Sequence, residues 1–152
     1  MRIGIIFHSV TGNTRHVAEV LHDALEKRSS KVDLVEIKAC KDDPDEVCVT
    51  IDTKPDLSEY DKLVFAAPVH AFNLSRVMRT YLKEIDDLSG VETAMFITHH
   101  FPFAWMGGAQ ALNTMKRLLM KKGARVTTRT SINWSSSRRD EAIRSMCDTV
   151  LT

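Results

Sequence analysis

The chain alternates continuous apolar runs with segments of helical period, and nothing else in it constrains the fold as strongly. Residues 2–7, 62–67 and 92–98 are apolar runs of strand length. Residues 31–37 and 125–133 are also strand-like but interleaved with polar residues: Asp33 and Glu36 in one, Thr127, Thr128 and Thr130 in the other. Between them lie helical patterns. Residues 14–27 repeat Val17, Ala18, Leu21, Ala24 and Leu25. Residues 75–85 set Val77, Met78, Tyr81, Leu82 and Ile85 on one face, and residues 109–122 do the same with Leu112, Met115, Leu118 and Leu119 before a stop at Gly123. Residues 140–151 carry Ile143, Met146 and Val150, with Trp134 and the serines 135–137 closing the last strand and capping that helix. Residues 38–58 hold Pro44, Pro55 and many acids without a period and read as an irregular crossover with at most a short helix. No repeat or linker interrupts the pattern, so residues 1–152 read as one domain.

Strand–helix alternation predicts an α/β fold, a doubly wound five-stranded parallel sheet with helices on both faces. The purely apolar strands belong in the middle, where neighbours and helices cover them. The two mixed strands belong at the edges. The order 2-1-3-4-5 satisfies both demands and puts a crevice between the first and third strands. Loops 8–14, 67–74 and 98–108 should meet at the carboxyl ends of the strands.

The first of these loops carries the clearest chemistry. Ser9, Val10, Thr11, Gly12, Asn13 and Thr14 sit between a strand and a helix start. Backbone N–H groups, the helix dipole and three hydroxyls can hold a phosphate there without Lys or Arg. Gly12 lets the backbone approach the anion. The same residue types also serve as ordinary helix caps. The Lys-Ser/Thr of a nucleoside triphosphate loop and the Gly-x-Gly-x-x-Gly of a dinucleotide loop are both absent. His8 beside Ser9 lacks a third member and an oxyanion loop, which argues against a hydrolase. No acidic cluster ends the first strand, which argues against a phosphoacceptor domain.

The second loop contains Pro68, Val69, His70, Ala71, Phe72 and Asn73, and the third Thr98, His99, His100, Phe101, Phe103, Trp105 and Gly107. Aromatic side chains at loop tips are unfavourable unless they cover something flat and apolar. A phosphate seat beside two such walls suits a phosphorylated ring compound. His99 and His100 are adjacent and poorly placed to share a metal, and no carboxylate motif supports them. A ring contact or proton relay suits one of these histidines better.

Composition excludes little but is consistent. The net charge is +1, so no general attraction to nucleic acid or membrane is expected. Acids crowd residues 42–61, a candidate docking surface for a redox partner, and bases crowd residues 116–144. Cys40, Cys48 and Cys147 are too scattered for a cluster or disulfide framework, which fits a reducing cytoplasm. No run reaches transmembrane length, and no signal peptide pattern opens the chain.

These motifs resemble the short-chain flavodoxins and flavodoxin-like domains over nearly the whole chain. Ser9-Val10-Thr11-Gly12-Asn13-Thr14 is similar to that family's Ser/Thr-x-Thr-Gly-x-Thr phosphate motif. Ala67-Pro68-Val69-His70 resembles the start of the loop flanking the isoalloxazine ring, and Gly107-Gly108 through Gly123-Ala124 resembles the Gly-Gly helix. The Pro68–Phe72 variant is similar to domains fused to a ferredoxin module, which this chain lacks. The resemblance implies a flavodoxin-like three-layer sandwich and non-covalent FMN. Ser9, Thr11, Gly12, Asn13 and Thr14 would hold its phosphate, Pro68 to Phe72 one side of the ring, and residues 98–105 the other. A backbone carbonyl near Ala71 or Phe72 would face flavin N5. It implies an electron carrier, monomeric or weakly dimeric, working with a reductase or ferredoxin-type protein. An NAD(P)H-dependent FMN or quinone oxidoreductase of the same fold is the alternative, and a regulatory domain without flavin a further one. The chain departs from the family in having His70 where many members carry Tyr or Trp, Thr98-His99-His100 where many carry Gly-Asp and Tyr, and near-neutral charge. The last departure implies a less negative couple for the fully reduced flavin.

Overall fold

The computed structural model describes residues 1–28, 31–39, 50–100 and 107–151. Cys40, Cys48, Phe101, Phe103 and Trp105 therefore lie outside the described residues. Strands β1 (Arg2–Phe7), β2 (Lys31–Glu36), β3 (Lys62–His70), β5 (Glu92–His99) and β6 (Arg125–Asn133) form a parallel sheet in the order β2-β1-β3-β5-β6. A two-residue strand, β4 (Asn73–Leu74), pairs antiparallel with the end of β3. This is the expected order with one correction. The sheet has six strands rather than five, because residues 68–74 form a hairpin where the sequence reads as a loop. Pro68 and two polar residues break the apolar run there, so periodicity alone ends the strand too early. Helices α1 (Asn13–Glu26), α2 (Arg76–Glu84), α3 (Gly108–Lys121) and α4 (Arg139–Leu151) supply the outer layers. A 3-10 turn at Leu57–Glu59 is the short helix of the crossover.

Strand alternation sends successive side chains of β1 to opposite faces. Ile3, Ile5 and Phe7 pack with Val17, Leu21, Phe96, Ile143 and Met146 beneath α1 and α4. Ile6 joins Leu63, Phe65, Met78, Leu82, Met95 and Met115 beneath α2 and α3. The two cores share one sheet, so both hold β1 and β3 in register at the crevice. Each helix lays the apolar stripe visible in its sequence onto one face.

The few charges inside this frame are paired. Lys62, 5% exposed, donates from Nζ to the Val150 carbonyl at 2.6 Å and to Glu92 at 3.0 Å, joining the start of β3 to the end of α4. The edge strand β6 carries an irregularity. Thr93 pairs with Val126 and Ala94 with Thr128, so Thr127 is skipped. Cys147 is buried and free, and burial pushes its thiol up. No described helix is long and apolar enough to cross a membrane.

Candidate functional site

Parallel strands bring the ends of β1, β3 and β5 to one side of the sheet, and the loops after them meet there. After β1 the chain curls around the Ser9 hydroxyl. Ser9 Oγ accepts the backbone N–H of Gly12 at 3.1 Å and of Arg15 at 3.3 Å. Gly12 then takes φ 93°, a left-handed value that glycine adopts without strain, and α1 begins with no side-chain cap. Gly12 has no side chain to cap with, and Ser9, three residues upstream, takes the third-residue amide of the helix instead. First-turn N–H groups of such a helix point out of its end without intrahelical partners. Thr11 and Val10 are exposed beside this opening and Asn13 is half-buried. The arrangement fits a phosphate by the chemistry of its donors.

Not every residue of the motif faces the opening. Thr14 is buried, and its hydroxyl shares a 2.8 Å hydrogen bond with that of Thr98. Thr14 and Thr98 thus clamp α1 to β5 from below the loop. Asn13 Nδ2 lies 2.9 Å from His100 Nε2, tying the first loop to the third.

The second loop is a hairpin tip. Val69 pairs with Leu74 and His70 with Asn73, leaving Ala71 (φ 50°) and Phe72 (φ 62°) as the turn. Two consecutive left-handed residues make the tight turn that suits strand twist, usually with Asn-Gly in these places. Ala and Phe are strained there. His70, Ala71 and Phe72 are exposed, Phe72 to 56%. Asn73 points inward instead. Its Oδ1 accepts the Leu74 N–H at 2.7 Å and the Thr114 hydroxyl at 3.0 Å, fastening the hairpin to α3.

The third loop begins with His99, buried at the end of β5, and exposed His100. It ends at Gly107, the cap of α3, with φ 110°. A Cβ on Gly107 would lie 2.7 Å from Phe72 Cα and 2.9 Å from Val69 Cγ1, so only glycine lets α3 start against the hairpin. The structure therefore brings together Ser9, Val10, Thr11, Gly12, Asn13, Pro68, Val69, His70, Ala71, Phe72, His100 and Gly107. Thr14, Asn73, Thr98 and His99 form the layer beneath. The three loop histidines do not gather as one cluster.

Three positioning residues, His8, Ser75 and Thr114, lie outside the loop motifs. His8 Nδ1 lies 2.9 Å from Ser75 Oγ, which also accepts the Met78 N–H at 3.4 Å to cap α2. Ser75 is foreseeable as a cap because it opens the 75–85 apolar stripe. The Thr114 tie leaves no local signal.

The described end of the acidic segment, residues 50–61, makes local and β-strand contacts. Asp56 accepts the Ser58 N–H at 3.0 Å. Glu59 and Asp61 each bond Arg2 at 2.7 Å, at the amino ends of β1 and β3. That is the far side of the sheet; residues 42–49 of the acidic segment lie outside the described residues. The guanidinium of Arg2, and then the Tyr60 hydroxyl at 3.0 Å, hold the Asp33 carboxyl below its usual range. A cavity of about 560 Å³ near Leu57 and Tyr81 is lined by no described residue of the three loops.

A family model described as a flavodoxin domain matches residues 4–104. No curated protein sequence matches the chain. Among solved structures, a flavodoxin of Streptococcus pneumonia TIGR4 is 19% identical, with 99% of this chain and 96% of that one covered and a TM-score of 0.73. The two-electron reduced flavodoxin of Megasphaera elsdenii is 17% identical over 99% of both chains, with a TM-score of 0.74. A flavoprotein of Lactobacillus acidophilus NCFM in complex with FMN is 17% identical, over 95% of this chain and 97% of that one, at 0.66. At such identities the likeness is one of fold.

Proposed function

The chain belongs to the flavodoxin domain family, and from that premise we propose that it binds FMN and carries electrons between redox partner proteins. One observation supports this above the rest: a helix start at Gly12, wrapped around the Ser9 hydroxyl, opening at the β1–β3 switch point beside a strained hairpin tip. FMN, when bound, supplies one- and two-electron chemistry. The chain's residues do the remainder. Ser9, Thr11 and the first-turn amides of α1 hold the phosphate. His70, Ala71 and Phe72 cover one side of the ring and exclude water, and the layer of Thr14, Thr98 and Asn73 fixes those loops in place. The chain's near-neutral net charge disfavours the anionic reduced flavin less than strong acidity does, so the fully reduced couple is set less negative.

The visible spectrum of the purified protein, before and after addition of FMN, tests the cofactor. Thr11→Ala then separates phosphate from ring recognition, because Thr11 is exposed at the opening and outside the core. FMN affinity should fall about tenfold, the worth of a charge-assisted hydrogen bond, with riboflavin affinity unchanged. Equal loss for both ligands counts against the phosphate seat. Rapid bleaching of the bound flavin by NAD(P)H in a stopped-flow experiment would favour an oxidoreductase over a carrier.

A further inference from the structure

A second recess opens on the opposite face of the sheet from α1. It has a volume of about 390 Å³ and is lined by His8, Val10, His70, Ala71, Ser75, Arg76, Val77 and Arg79. That size lies within the range of about 300–1,000 Å³ typical of small-molecule sites. Its chemistry is one-sided. Arg76 and Arg79, three residues apart, share one side of α2. His70 adds a third nitrogen base. No acidic side chain lines the recess among the described residues. Val10, Ala71 and Val77 give it an apolar wall.

We propose that this recess binds a small organic anion, a compact oxyanion group on a short apolar body, as in carboxylates and phosphate esters. Arg79 carries the argument. Its Nε is buried and makes no hydrogen bond among the described residues. A buried N–H without an acceptor is unfavourable, and an oxyanion in the recess supplies one. A guanidinium fork matches carboxylate and phosphate oxygens two at a time. The positive end of α2 adds to the field at the same point. The bond between His8 and Ser75 stiffens the wall behind it. The recess shares Val10, His70 and Ala71 with the loops of the candidate cofactor site, but its cations come from α2, which packs on the other face of the sheet from α1. Its closeness to a flavin ring rests on the FMN reading. Anion binding itself does not, so the two readings fail separately.

Amide NMR titration of the full chain at constant ionic strength, with and without FMN, is the test. The probes are inorganic phosphate, benzoate and neutral benzamide. Saturable shifts at Val10, Ala71, Arg76 and Arg79 with phosphate and benzoate, and none with benzamide, are expected. Arg79→Gln should weaken benzoate about tenfold and Arg79→Lys less, because lysine keeps the charge but not the fork. Lys121→Gln, remote on α3, should leave binding unchanged. The saturable shifts of the unaltered chain, and Arg79→Lys, keep the test if Arg79→Gln does not fold. Shifts that never saturate, or that benzamide reproduces, overturn the proposal. So does one-for-one displacement of benzoate by FMN, which would make the recess part of the cofactor seat. Binding of a glutamate-rich peptide without either small anion would also overturn it, in favour of a protein-docking face.

Discussion

Gly107→Ala should be far more damaging than its single added methyl suggests, and the comparison with Gly90→Ala isolates why. Both glycines have positive φ, 110° and 77°. An alanine in that region costs about 1–2 kcal/mol through its own backbone. At Gly90 nothing lies within 4 Å of the new Cβ, so that strain is the whole effect. At Gly107 the Cβ would meet Phe72 Cα at 2.7 Å and Phe72 C at 2.8 Å, and these backbone atoms cannot rotate aside. Forced overpacking adds about 1–3 kcal/mol, for a total of about 2–5 kcal/mol. Urea titrations of both variants measure the difference. At a slope of about 2 kcal/mol per molar urea, the midpoints should separate by roughly 0.5–1.5 M with unchanged slope. FMN affinity should fall in Gly107→Ala, where the 71–72 turn is pushed, and hold in Gly90→Ala. Coincident midpoints would refute the close approach of α3 to the hairpin. Separated midpoints with equal FMN affinity would refute its bearing on the site.

Thr14→Ala and Thr98→Ala should each destabilise by about 1–2 kcal/mol, by leaving one buried hydroxyl unpaired, and the double variant by less than their sum; denaturation of all three forms the cycle. Ala71→Asn should stabilise by about 0.5–1 kcal/mol, because Asn tolerates the left-handed turn, and thermal melting reads it out. The depressed Asp33 carboxyl stabilises the fold above the ordinary aspartate range, and that contribution is lost as pH falls through its lowered folded value. Asp33→Asn should therefore flatten the acid limb of the stability curve, as measured by urea midpoints below about pH 4.

The layers and strand order were legible because each strand's neighbours leave a mark on its composition. Val64, Phe65 and Phe96 are covered on both sides, while Asp33 and Thr127 lie on edge strands. The glycine-kinked helix start after β1 was legible because strand, glycine and helix are contiguous. The hairpin was not, because β4 is two residues long and its turn uses Ala71-Phe72 in place of Asn-Gly. The inward roles of Thr14 and Asn73 were hidden as well. Their partners, Thr98 and Thr114, are distant in sequence, and a polar residue in a binding motif looks the same whether it faces a ligand or a buried hydroxyl.

The skipped Thr127 matters beyond its own strand. An open sheet offers unpaired N–H and C=O groups along both outer strands, a template on which further copies can add. On β6 the irregularity twists the strand locally, and exposed Arg125, Thr127 and Arg129 stand along the same stretch. On β2, Lys31, Asp33 and Glu36 place charges of both signs along the other border. Both borders thus resist growth by strand addition. A sheet with so apolar a centre can exist at high concentration without becoming the seed of a fibre.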